Sequence, residues 1–573
     1  MSRTRARFAV LLALSLAGRS AFTQVPEDAP RVSGSVETSV LELDVVVTDK
    51  DGKPVSGLGP ADFEVRIAKR PVEITNFYER KPAPGPLPAG GPAPEGEKPP
   101  VTELAPVAGA DRQLRHLVLF LDRLELPDKG KSEGTFGSLR TLVRNTLGPG
   151  DEAMIVTWER SLRSVLPFTS DLAALERVLG AQEALSRRMP WEASAIDRLS
   201  DDAAWFSSYP PGATSDGTEA SRRALAAQAY GEMKAKASAL RAILSTLGGL
   251  PGRKILVFAS HRFSRLAGLE FLIRPRAMYG EIPGYAQEFN ARGLIESVTT
   301  AANANGVTLY PVFPAGWPDD AGAGISAANP PSLNPQSNSA LAGASGDMIV
   351  MNEADALDTL SESTGGRTGI GFKDIGDLVP RIQRDLDFSY SVGVAATLGK
   401  PGRDLAVDVK TKDRRLVVRA RRSVVEKSPE TRIKDRVLSN LFRPDSSSRL
   451  AISLASTAPE TKKRRTTLLL PIRVPIGGLA LVPSAGGFSG AFSVFVASAA
   501  ADGRFSDVTQ QRRPFEIARA EFAKAKTGHF TYQVPVVLGS PEARVSIGVF
   551  DEIGRDAGFL LVDVSGGIAT VRR

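Results

Sequence analysis

The sequence predicts a multidomain α/β-plus-β protein in which a central doubly wound parallel sheet is flanked by small β-sandwich-like domains. Three observations carry this. At 573 residues the chain exceeds the roughly 250–300 residues that one hydrophobic core organises. Strictly alternating apolar segments occupy both ends, within 38–79 and beyond Phe388, which is the period-2 signature of half-buried strands. Between them, short continuous apolar runs alternate with helical patterns, the rhythm that builds a parallel sheet covered on both faces.

In chain order, residues 1–24 have a basic start (Arg3, Arg5, Arg7), an apolar stretch from Phe8 to Ala17 and a small, polar exit, the layout of a secretory signal peptide. The stretch is too short to span a bilayer, and no later segment offers about 18 continuous apolar residues. The mature protein is therefore expected to be periplasmic or secreted, with no membrane span. In 38–79, Leu41, Leu43, Val45 and Val47 alternate before an Asp51-Gly52 turn, and Phe63, Val65 and Ile67 alternate after it, which predicts a small N-terminal β domain. Residues 80–112 are dominated by Pro, Gly and Ala and read as a linker.

The central domain is expected over 113–425. Its strands are His116–Asp122, Ala153–Trp158, Leu162–Phe168, Lys254–Ala259 and Val307–Val312. Helical patterns lie near 133–147, 171–185, 218–247, 286–305, 353–364 and 375–386, and closing strands run from Phe388 to 425. Two insertions, 186–217 and 314–350, are longer than ordinary loops. After a short helical linker near 428–442, apolar alternation in Thr467–Ile476, Phe492–Ala499, Phe530–Leu538, Ala543–Asp551 and Phe559–Gly566 predicts a C-terminal β-sandwich over 445–573.

Composition narrows the function classes. With 42% hydrophobic and 24% charged residues the chain is an ordinary globular protein. The absence of cysteine excludes disulfides, thiolate zinc sites, thiol nucleophiles and lipid attachment at an N-terminal cysteine. The only histidines are His116, His261 and His529. Loss of Arg3, Arg5, Arg7 and Arg19 with the leader lowers the formal charge by four, from +8 to +4, so no nucleic-acid partner is expected. The run Lys462–Arg465 reads as a solvated hairpin tip.

Two blocks together resemble a family. VVVTDKDGKPVSGLGPADFEVRIAKRPVEITNF, followed after the linker by HLVLFLD, a helix and GPGDEAMIVTW, resembles the bacterial VWFA-related proteins of the Acidobacteria type, exported chains with a short β domain ahead of a von Willebrand factor A-like domain. GRKILVFAS and GVTLYPVF fit the fourth and fifth strands of that fold. The resemblance covers about residues 38–425. It implies a divalent cation at the carboxyl edge of the sheet, held by Asp-x-Ser-x-Ser, a Thr and a second Asp.

Asp122 matches the first ligand position and Thr218 loosely matches the Thr. Leu124 and Leu126 stand where the hydroxyls belong, and Ser260-His261-Arg262 carries no carboxylate after the fourth strand. The metal motif is thus degenerate. Arg262 adds a cation that opposes a metal, and no cofactor is expected. Asp122, Glu125 and Asp128 are the one substitute acidic cluster.

Enzyme signatures are lacking. No Gly-x-Ser-x-Gly elbow occurs, since Gly486-Gly487-Phe488-Ser489-Gly490 has the wrong spacing, and His261, although at the sheet edge, has no evident partner. The expectation is a non-catalytic, metal-independent interaction or adhesion module with a protein or envelope partner. An exported hydrolase with an unrecognised site, or a structural part of an envelope assembly, are the alternatives. The partner-facing residues are expected among the loops at the carboxyl edge: Glu125, Asp128, His261 and Arg262, with Trp191, Trp205 and Tyr209 as aromatic anchors.

Overall fold

A computed structural model describes residues 40–80, 114–123, 131–188, 216–260, 263–273, 282–312, 338–368, 376, 378–395, 401–444, 447–455, 466–566 and 568–572. The expected leader, nearly all of the linker and most of both insertions lie outside them.

The protein is mixed α/β. Its centre is a five-stranded sheet in the order β7 (Leu162–Thr169), β6 (Glu152–Trp158), β5 (Arg115–Asp122), β8 (Arg253–Ala259), β9 (Val307–Val312). β6, β5, β8 and β9 are parallel, whereas β7 runs antiparallel to β6. The expectation of a wholly parallel sheet is corrected at this edge. Only Glu159, Arg160 and Ser161 join β6 to β7, and a parallel return needs about a dozen residues.

The buried strands point alternate side chains to opposite faces. Leu117, Leu119, Ile155 and Val257 pack under α1 (Lys131–Thr146), α2 (Leu172–Arg188) and α6 (Val379–Asp387). Val118, Phe120, Val156 and Phe258 pack under α3 (Asp216–Gly248), α4 (Arg292–Asn305) and α5 (Asn338–Thr364). Both faces being covered explains why these strands read as continuous apolar runs. Among the described residues no helix is long and apolar enough to cross a membrane.

The terminal β units differ in how they are assembled. β1 (Val40–Thr48) pairs with β10 (Ser389–Ala395) and β12 (Val417–Arg419), and β10 also pairs with β4 (Ile74–Arg80). β2 (Phe63–Ile67) pairs with β3 (Arg70–Val72) and β11 (Asp404–Thr411), and β11 with β13 (Ser423–Val425). The two resulting four-stranded sheets share a core of Leu43, Val45, Phe63, Val65, Tyr390 and Val392. The strands of 389–425, assigned from sequence to the central domain, are therefore partners of residues 40–80. The short N-terminal strands alone leave edges and one apolar face unpartnered, and such small sheets are marginal in water.

Beyond α7 (Pro429–Asn440), β15 (Thr466–Pro475) pairs with β14 (Ser453–Leu454) and β19 (His529–Leu538). Opposite lies a sheet of β16 (Val482–Pro483), β17 (Gly487–Ala500), β20 (Ala543–Asp551), β21 (Ala557–Ser565) and β22 (Ile568–Arg572), with β18 (Thr509–Ala518) also on β17. The two sheets enclose Leu470, Ile472, Val494, Val536, Ile547 and Val562. Helix α7 buries Ile433, Val437 and Leu438 in the same cluster as Leu240 of α3 and Phe550 of β20, so it bridges the central sheet and the last β unit.

Candidate functional site

The chain leaves β5 for β6 on one side and returns with β8 on the other. In open sheets of this kind the crevice outside the carboxyl ends of the two strands at such a reversal is where ligands collect. Asp122 ends β5 and Ser260 follows β8, one step past the Leu121–Ala259 register pair.

A third group reaches this point from α3. Lys236 Nζ lies 2.6 Å from Asp122 Oδ2 and donates to Ser260 Oγ at 3.0 Å, and Ser260 Oγ donates to Asp122 Oδ2 at 2.6 Å. All three side chains are buried, Asp122 at 0% exposure, Ser260 at 1% and Lys236 at 3%. The ammonium also sits 5.5 Å from the centroid of the Trp158 ring at the end of β6, within range of a cation–π attraction. Position 236 falls on the inward stripe of α3 with Met233, Ala237, Leu240 and Ile243, so helical period alone carries this lysine inside. A lone charge there would be costly, and the opposite charge of Asp122 with the shared hydroxyl compensates it.

This arrangement answers whether the residues fit a divalent cation, and they do not. A cation binding Asp122 and Ser260 takes oxygen ligands at roughly 2.0–2.6 Å, and the Lys236 ammonium already stands at contact with both oxygens. Two positive centres at that separation repel strongly in a buried site. Thr218, proposed as a ligand, lies in the first turn of α3, eighteen residues before Lys236, about 27 Å away along the helix axis at 1.5 Å per residue. The structure does not bring it to Asp122. Leu124, Glu125, Leu126, Asp128, Trp191, Trp205, Tyr209, His261 and Arg262 lie outside the described residues. Among the described residues no cluster of three or more His, Asp or Glu side chains is arranged to hold a metal.

As chemistry, a serine hydrogen-bonded to a lysine could be a nucleophile with its base. Here the lysine is the cationic half of a buried ion pair and the serine proton is directed to Asp122. The trio therefore fixes charge and geometry at the ends of the two strands.

The opposite edge of the sheet is closed by charge pairs. Asp385 of α6 accepts from Arg367 at 3.1 Å and from Arg419 of β12 at 2.5 Å, and its backbone carbonyl accepts from Arg253 at 3.1 Å. Arg253, at the start of β8, lies 4.0 Å from Asp44 of β1, which also pairs with Arg80 at 2.8 Å. Burial pushes the Asp44 carboxyl up, but Arg80 and Arg253 together hold it below its ordinary value. Next to Arg253, burial and then repulsion by Arg421 and Lys427 lower the Lys254 amine to about 8. These contacts join the first β unit to the central sheet, so that edge is an internal seam. His116 is buried edge-on against Phe168, with its Nδ1 3.4 Å from Glu152.

Sequence reading placed Asp122 at the end of its strand but missed Lys236 beside it. The available signal was a lysine on the apolar stripe of a helix that faces a strand ending in a lone aspartate. A scan against protein-family models and a search of curated proteins returned no match to this chain.

Proposed function

We propose that the chain is an exported, non-catalytic protein-interaction or adhesion module of the VWFA-related kind, and that it engages its partner without a metal. The carrying observation is the buried Asp122–Lys236–Ser260 trio, in which a tethered ammonium stands where an adhesion site of this fold would need a free cation. The basic, apolar and small-residue order of residues 1–24 supports export. The carboxyl edge of the parallel strands supports the binding role, because it gathers loops from distant parts of the sequence on a rigid frame.

The test is isothermal titration of the mature protein with magnesium, manganese and calcium, beside capture of envelope proteins with and without chelator. No saturable metal binding and chelator-insensitive capture are expected. A micromolar dissociation constant lost in Asp122→Asn, or capture abolished by chelator, overturns the reading.

A further inference from the structure

We propose that a groove of about 600 Å³ beside the carboxyl edge, between the β6–β7 turn, the outer face of α3 and the 504–507 loop of the last β unit, binds an acidic, extended peptide segment. This rests on the interaction-module reading above and names the chemistry of the partner.

The volume lies in the range of ligand clefts. Three guanidiniums, Arg160, Arg241 and Arg504, line it against a single carboxylate, Asp507. Arg504 is partly neutralised by Asp502 at 2.7 Å, and Arg241 reaches Ser297 at 3.5 Å. Arg160 makes no ion pair among the described residues. It also holds a left-handed backbone, φ 60°, in a three-residue turn where glycine would be relaxed. An arginine kept in a strained conformation at the rim of a groove is the kind of outlier from which a binding role is inferred.

Shape selects the class of anion. Ser238, Ala242 and Ser245 recur on one face of α3 and keep the floor low, and the Ser238 and Ser245 hydroxyls can pair with a peptide backbone. Phe505 and the rim of Trp158 supply apolar contact. The same indole whose face meets Lys236 thus also lines the groove. Arginine forks match carboxylates in two-point geometry, and an open, low-floored trough suits an extended chain.

The test uses the exported full chain, a fluorescein-labelled peptide of alternating glutamate and serine, and anisotropy at physiological salt. Saturable binding is expected. Arg160→Glu and Arg241→Glu should each weaken it about tenfold or more, and Arg414→Glu, an exposed arginine of the β11–β12 connection that does not line the groove, less than twofold. Ser238→Trp changes no charge and fills the floor, and should weaken binding comparably, with unchanged melting showing that the fold is kept. Absence of saturation, equal losses for all three reversals, or binding of a uronic-acid oligosaccharide in preference to the peptide overturns the proposal. Manganese titration separates the two failures: metal binding at Asp122 sinks the metal-free reading and leaves the groove, whereas binding indifferent to Arg160→Glu sinks the groove alone.

Discussion

The Tyr390 hydroxyl donates to the Val55 carbonyl at 2.9 Å, across 335 residues of sequence, and accepts from the Leu58 amide at 3.3 Å. Its ring lies against Phe63 and Phe77, at centroid distances of 5.2 and 5.6 Å. One side chain of β10 thus pins both the loop and the core of a sandwich begun at the other end of the central domain.

Proteolytic nicking within 81–113 is therefore expected to leave the molecule in one piece. The strand pairs β1–β10 and β2–β11 hold residues 40–80 to the remainder without a covalent link. Size exclusion of the nicked protein should show co-elution under native conditions and separation in denaturant. Independent elution of the small fragment without denaturant would show that this pairing does not hold the unit together.

Replacing either member of the Asp122–Lys236 pair should be costly, because the survivor is a buried uncompensated charge. Asp122→Asn and Lys236→Met are each expected to lose about 3–5 kcal/mol. The double variant should lose much less than the sum, as directly coupled residues do. Urea unfolding of all four proteins gives the cycle, and additive losses would contradict the pairing.

Asp385→Asn should destabilise by a similar amount, about 3 kcal/mol or more, since Arg367 and Arg419 both lose their carboxylate partner in a buried setting. The loss should fall on the join between the first β unit and the sheet. Hydrogen exchange should accelerate in β10 and β12 before it does in β20 and β21, and uniform acceleration would place the network elsewhere in the stability of the fold.

The Lys254 amine gives a pH dependence of known sign. Its folded value is about 8, against 10.5 for the ordinary group. Below 8 both states are protonated and the folded state bears the full penalty of burying the charge. Between 8 and 10.5 the unfolded chain binds more protons, so stability should rise with pH across that window. Lys254→Met should flatten this rise and stabilise most below pH 8. Equal slopes for the two proteins in chemical unfolding would rule the effect out.

Much of the central sheet was legible because strands buried on both faces are continuous apolar runs, and β5, β6, β8 and β9 all began and ended within a residue of expectation. β18 was not, because Thr509–Arg513 present polar side chains to solvent on both sides of the strand, and no period survives. The pairing of 40–80 with 389–425 was hidden for a different reason. Alternation shows that a strand has one buried face but carries no information on which distant strand completes the ladder. Lys236 was hidden by convention: a lysine within a long polar-rich helix reads as solvated unless its position is placed on the helical wheel beside the strand end it meets.

The split sandwich also sets a timetable. β4 ends at Arg80 and β10 begins at Ser389, so the first four strands emerge about 310 residues ahead of their partners. At synthesis rates of about 5–20 residues per second this is a wait on the order of 15–60 s, long compared with the folding of most small domains. During that interval β1 and β2 carry apolar faces and open edges, the features that draw strands into wrong pairings. The central α/β unit, whose ends both enter the sandwich, can close first and bring the two halves together. Residues 389–425 act as the clasp that ends the exposure, and a chain stopped at Asp387 would carry that hazard permanently.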